Sequence, residues 1–137
     1  MSVWSAAEPA SPSLSTGEGD LESVSISVEP RQLESLLEAL AQVDFPINPQ
    51  IYHDAALVYS YPDGSQRTEP ATLVEFPAYQ ARLPQVRAAL AAYGFDPSIV
   101  SVATMWEAIH TEGQPEPAPP GAAYRSRRRV KQRAAVA

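Results

Sequence analysis

The sequence predicts an α+β domain whose elements follow the order strand, helix, strand, strand, helix, strand. Three observations carry that expectation. Around Pro62-Asp63-Gly64, the stretch from Ala55 to Phe76 sets two runs rich in Val, Leu, Tyr and Phe. Pro presets φ, Asp favours a tight turn and Gly accepts positive φ, a combination that specifies a β-hairpin. Glu22 to Val28 alternates Val24, Ile26 and Val28 with Ser23, Ser25 and Ser27, the period of a half-buried strand. Finally, Leu33, Leu36, Leu37 and Leu40, and later Leu83, Val86, Leu90 and Tyr93, recur at three-and-four spacing, the apolar stripe of an amphipathic helix.

Taken in order, residues 1-20 read as a disordered acidic tail rich in Ser and Pro, with too little apolar surface to offset the entropy of ordering it. The first strand follows, and Pro30 stands at a natural first helical position, where its missing N–H costs nothing. Asp44 and Pro46 end the first helix. Phe45 to His53 is too apolar for a solvated loop and too proline-rich for a helix; it predicts an ordered crossover pressed against a sheet edge. In the hairpin, Leu57, Tyr59 and Tyr61 share one face while Ala56, Val58 and Ser60 share the other. Pro70 predicts a bulge or an edge position in the second arm, and Pro77 closes it. Gly94 suits the position just past the second helix, with Phe95 packing back on Leu90 in a Schellman arrangement. Ile99 to about Ile109 reads as a last strand, buried on both sides or at an interface.

The folded domain is therefore expected over 21-111, followed at 112-137 by a Pro-rich linker and a basic tail. A hairpin alone is marginal in water and needs further strands. The order of elements is that of a ferredoxin-like βαββαβ fold: a four-stranded antiparallel sheet with two helices on one face. A single core of this size gives only a few kcal/mol of net stability, so dimerisation would help it.

Charge is unevenly placed. The formal net charge is -6, yet from Ala122 onward every ionisable side chain except Tyr124 is basic: Arg125, Arg127, Arg128, Arg129, Lys131 and Arg133. The N-terminal tail carries Glu8, Glu18, Asp20 and Glu22 and no basic residue. The C-terminal end is expected to seek anionic surfaces, whether an acidic protein, nucleic acid or an anionic membrane. The absence of cysteine removes disulfides, thiol catalysis, iron–sulfur clusters and cysteine zinc sites. No apolar run approaches the roughly 20 residues of a bilayer span, and MSVWSAAEPASPS lacks the basic start and apolar run of an export signal. The expected location is cytoplasmic, with a peripheral position on a membrane or complex open.

No catalytic constellation is expected. The two histidines, His53 and His110, fall at opposite ends of the expected sheet, and Gly-x-Ser-x-Gly, phosphate-cradling glycine loops and His-Glu-x-x-His are all missing. No cofactor or metal follows from the residues. The tyrosines and Trp106 suggest a stacking platform for bases, but SVSISV and TLVEF lack the Lys/Arg-Gly-aromatic pattern of the RNA-recognition motif, and the core is acidic.

By element order, Glu22 to Ile109 resembles an ACT-like or P-II-like ferredoxin-fold module. That resemblance implies a sensor of small ligands or partner proteins that associates through sheet edges or faces. No ligand residue transfers: Glu29-Pro30-Arg31 stands where ACT modules have a glycine-containing turn, and the short Pro62-Asp63-Gly64 turn replaces the long P-II loop. The expectation is a non-catalytic accessory subunit that docks on a protein partner or larger complex through its sheet face and tails. The residues expected to carry contact are Ile47, Ile51, Tyr52, Tyr59, Tyr61, Trp106, Arg125, Arg127, Arg128, Arg129, Lys131 and Arg133. Small-ligand sensing, and nucleic-acid or membrane association through the basic tail, are the alternatives.

Overall fold

The computed structural model describes residues 15–110 and 115–131. Seven strands form one antiparallel sheet: β1 (Ser15–Thr16), β2 (Gly19–Val28), β3 (Gln50–Ser60), β4 (Gln66–Tyr79), β5 (Val100–Thr104), β6 (Glu116–Pro117) and β7 (Ser126–Val130). Their order is β1-β2-β4-β3-β7-β6, with β5 also paired to β2 on the side that β1 occupies further along. Three helices accompany them: α1 (Leu33–Leu40), α2 (Leu83–Ala92) and α3 (Met105–His110).

This corrects the four-stranded ferredoxin-like sheet. The residues 126–130, expected in a solvated tail, pair along β3, with Leu57 opposite Arg129 and Tyr59 opposite Arg127. The sheet also curls into a half-barrel, which brings arginines on β7 to the carbonyls of Ser98 and Ile99 beside β5, on the far side of β2 and β4. The last strand is shorter than expected as well. Thr104 and Glu107 cap α3 reciprocally, the Glu107 amide donating to Thr104 Oγ1 at 3.0 Å and the Thr104 amide to Glu107 Oε2 at 3.2 Å. Such a capping box starts a helix, so the chain leaves the sheet at Thr104 and Trp106 lies on α3.

Residues opposite one another in an antiparallel pair project from the same face. Val24 opposite Phe76 and Ile26 opposite Val74 therefore share one face. There they join Leu36, Ala39 and Leu40 of α1 and Val86 and Leu90 of α2 in a single buried cluster. Each fully buried aliphatic side chain in it contributes about 1.5–3 kcal/mol. The crossover at Phe45 to Ile51 is held against this cluster by Val43, Phe45, Ile47 and Ile51. Arg82 pins its start, with Nε 2.7 Å from Glu18, an Nη 3.2 Å from Asp44 and its guanidinium over the Phe45 ring.

Local signals account for the turns. Gly64 has φ +89°, and the Tyr61 amide donates to the Ser65 carbonyl at 2.9 Å. Asp63 accepts from both the amide and hydroxyl of Ser65, which holds its carboxyl below the ordinary aspartate range. After α2 the Phe95 amide donates to the Leu90 carbonyl at 3.0 Å, and Gly94 takes φ +82°, the Schellman geometry. The bulge falls in β3, where the register shifts between Tyr52 and Ala55. Pro70 opposes Ala56 in the part of β4 that β2 does not reach, an edge position.

Candidate functional site

The face of the sheet away from α1 and α2 is lined by Leu73 and by mainly small and polar residues of β2, β3 and β4. Ser25 opposes Glu75, and Ser27 opposes Leu73. Ser27, Ala55, Ala71 and Leu73 are buried there. The buried aliphatic cluster lies on the other face. Here Arg127 and Arg129 fold inward from β7. The Arg129 side chain is only 8% exposed; one Nη pairs with the Glu116 carboxylate of β6 and the other donates to the Ile99 carbonyl at 2.9 Å. Arg127 donates to the Ser98 carbonyl at 2.8 Å. Burial pulls the Arg129 pKa below its ordinary value, and the Glu116 carboxylate opposes that pull. The guanidinium forks thus act as a closing latch between β7 and the turn that precedes β5, a geometry that five fixed donors permit and a lysine does not.

Lys131 continues this row. Its ammonium is 3.0 Å from Glu75 and 5.2 Å from the centre of the Tyr52 ring, while the Tyr52 hydroxyl donates to Gln50 Oε1 at 2.8 Å. Beside it, Ser23, Gln50, Glu75, Pro77 and Met105 line an open cleft of about 460 Å³.

At the hairpin end the pairing of β7 with β3 assembles a second group. The Arg125 amide donates to the Ser60 carbonyl at 2.7 Å. Tyr124 is thereby placed edge-on to Tyr59, with ring centres 4.9 Å apart and planes at 75°. Arg67 lies over the Tyr59 ring at 5.4 Å and also pairs with Glu69 at 2.9 Å. Tyr61, Pro62, Gln66, Arg67 and Ala123 line a shallow hollow of about 610 Å³ beside them. Arg125 and Arg67 are exposed, and the tyrosines are half-buried.

The expected contact residues consequently separate. Tyr59, Tyr61 and Arg125 come together at this corner. Arg127, Arg129 and Lys131 are engaged inside the protein, and Arg128 stands opposite Val58 on the other face. Ile47 and Ile51 serve the core, where Ile47 also borders an apolar pocket with Leu37, Leu40, Val43 and Phe45. Tyr52 lies beneath Lys131. Trp106 is 71% exposed on α3, away from the expected sheet position. Arg133 lies outside the described residues. Sequence reasoning missed Tyr124 and Arg67, because the run from Arg125 to Arg129 carries no apolar alternation that marks a strand along β3.

His53 is exposed on β3 and His110 closes α3. Among the described residues no three His, Asp or Glu side chains gather as a metal site. No described helix is long and apolar enough to cross a membrane. No protein-family model matches this chain, and no curated protein matches it.

Proposed function

We propose that this chain is a non-catalytic interaction module that docks on a larger protein assembly through the corner formed by Tyr59, Tyr61, Tyr124, Arg67 and Arg125. The observation that carries the reading is the packing of Tyr124 against Tyr59 beside two exposed guanidiniums. Tyr and Arg dominate the energetics of protein interfaces, because a tyrosine ring offers large area at little entropic cost and a guanidinium offers directed donors. The fitting partner surface is acidic, with carboxylates facing Arg67 and Arg125. On this reading the module works in the cytoplasm, peripherally on its complex. The internal use of Arg127, Arg129 and Lys131 favours a protein over a polyanion, since those cations already hold Ser98, Ile99, Glu116 and Glu75.

The test is affinity capture with the full chain and with Tyr59→Ala and Arg125→Glu, each checked for an unchanged thermal melt. The expected result is one protein retained by the parent chain and lost with both variants. Equal retention by all three would overturn the corner as the docking site. Salt-sensitive retention on RNA or anionic vesicles, reduced by Arg125→Glu, would move the reading to a polyanion. Stabilisation of about 2.7 kcal/mol by an amino acid or nucleotide at a hundred times its dissociation constant would move it to ligand sensing.

A further inference from the structure

The two edges of the sheet are built differently. One ends in β7 and β6, where three consecutive arginines fill the strand and the flanking β6 is two residues long and contains Pro117. Short strands, charge and proline are the usual guards against an added strand. The other edge is β5, Val100-Ser101-Val102-Ala103-Thr104, which has no charge and no proline. Among the described residues its only strand partner is β2. Its residues are half-buried up to Ala103, and Trp106 stands 71% exposed just past its end.

We propose that β5 pairs antiparallel with β5 of a second copy of this chain, joining two half-barrels into one continuous sheet about a two-fold axis at Val102. Three observations select a second copy over other occupants. Each chain carries a net charge of -6, yet this strand is neutral, so two copies meet without like charges in the ladder. At the opposite edge β6, with Pro117, covers Ser126 and Arg127 of β7, which disfavours head-to-tail addition there, whereas an isologous contact at β5 terminates at two. The reach of the ladder is also defined. Arg127 and Arg129 occupy the Ser98 and Ile99 carbonyls at one end, and the Thr104 amide is taken by Glu107 at the other. With the axis at Val102, Ser101 faces Ala103 of the second copy, and Val100 faces its Thr104.

Sedimentation of the full chain across micromolar concentrations tests this, together with a charge-swap pair. The parent chain is expected at twice its monomer mass. Ser101→Lys alone and Ala103→Glu alone are expected to dissociate about tenfold more readily, because each buries unpaired charge at the contact. An equimolar mixture is expected to recover the dimer, since the ammonium introduced on one copy then faces the carboxylate introduced on the other, and recovery shows that both variants fold. A monomeric parent chain, single variants that dimerise like the parent, or a mixture that fails to recover would each overturn the proposal.

Discussion

The two faces of the sheet solve the same burial problem with different chemistry. Behind Val24, Ile26, Val74 and Phe76 the covering groups are leucines and valines from α1 and α2. Behind Ser27, Ala55, Ala71 and Leu73 lie Arg127 and Arg129. Hydrocarbon packing is non-directional and answers mainly to volume. A buried guanidinium answers to geometry, because every donor left unmatched away from water costs free energy. The first face is therefore robust to conservative change, and the second is specific. The contrast is sharpest at three positions.

Phe76→Ala is expected to have the largest effect, a loss of about 3–5 kcal/mol in urea unfolding, from lost transfer free energy and the cavity left between β4 and the helices. Phe76→Leu should recover most of it. Arg129→Ala comes next, at about 2 kcal/mol. Breaking a wholly buried pair costs more, but the Glu116 side chain keeps 31% exposure and can turn to water. Arg129→Lys should rescue little, since one ammonium cannot serve both Glu116 and the Ile99 carbonyl. Full rescue by lysine would erase the distinction between the two faces. The smallest effect is a pH dependence at the turn the arginines grip. The Ser98 amide and hydroxyl, with Arg127 adding a minor pull, hold the Asp96 carboxyl below the ordinary aspartate value. A carboxylate so depressed stabilises the fold above its unfolded pKa, and that contribution drains away as pH falls through the folded value. Asp96→Asn keeps the acceptor for Ser98 but does not titrate. Acid-unfolding curves of the two chains should differ near neutrality and converge below about pH 4.

How much of this was legible depends on which chemistry a segment used. The apolar periodicities of Val24 to Val28, Leu33 to Leu40 and Leu83 to Leu90 pointed directly to the elements observed, as did Pro62-Asp63-Gly64 and Gly94-Phe95. Each buries hydrocarbon or bends the chain by a local rule. The fold class was misjudged because β7 has no such signature: its inward residues are Arg127 and Arg129, and a run of arginines ordinarily reads as solvated. Only the curvature of the sheet, which brings the Ser98 and Ile99 carbonyls within reach, makes burial of those groups tolerable. That curvature is a property of the whole assembly. The end of β5 was a different kind of miss, since Thr104-x-x-Glu107 is a capping signal inside an otherwise continuous apolar run. At the candidate site, Tyr59, Tyr61 and Arg125 stood among the expected contact residues, whereas Tyr124 and Arg67 joined them only once β7 was seen to lie along β3.

The pairing of Leu57 with Arg129 also sets a timetable. On the ribosome, the hairpin of β3 and β4 and both longer helices emerge well before Ser126 to Val130 do, so β3 waits with a bare flank while synthesis continues. The late arrival of the arginine strand is what covers it. Contacts between segments so far apart in sequence form more slowly than the local hairpin and helix contacts, so the closing of the arginine strand onto β3 is expected as a late step of folding.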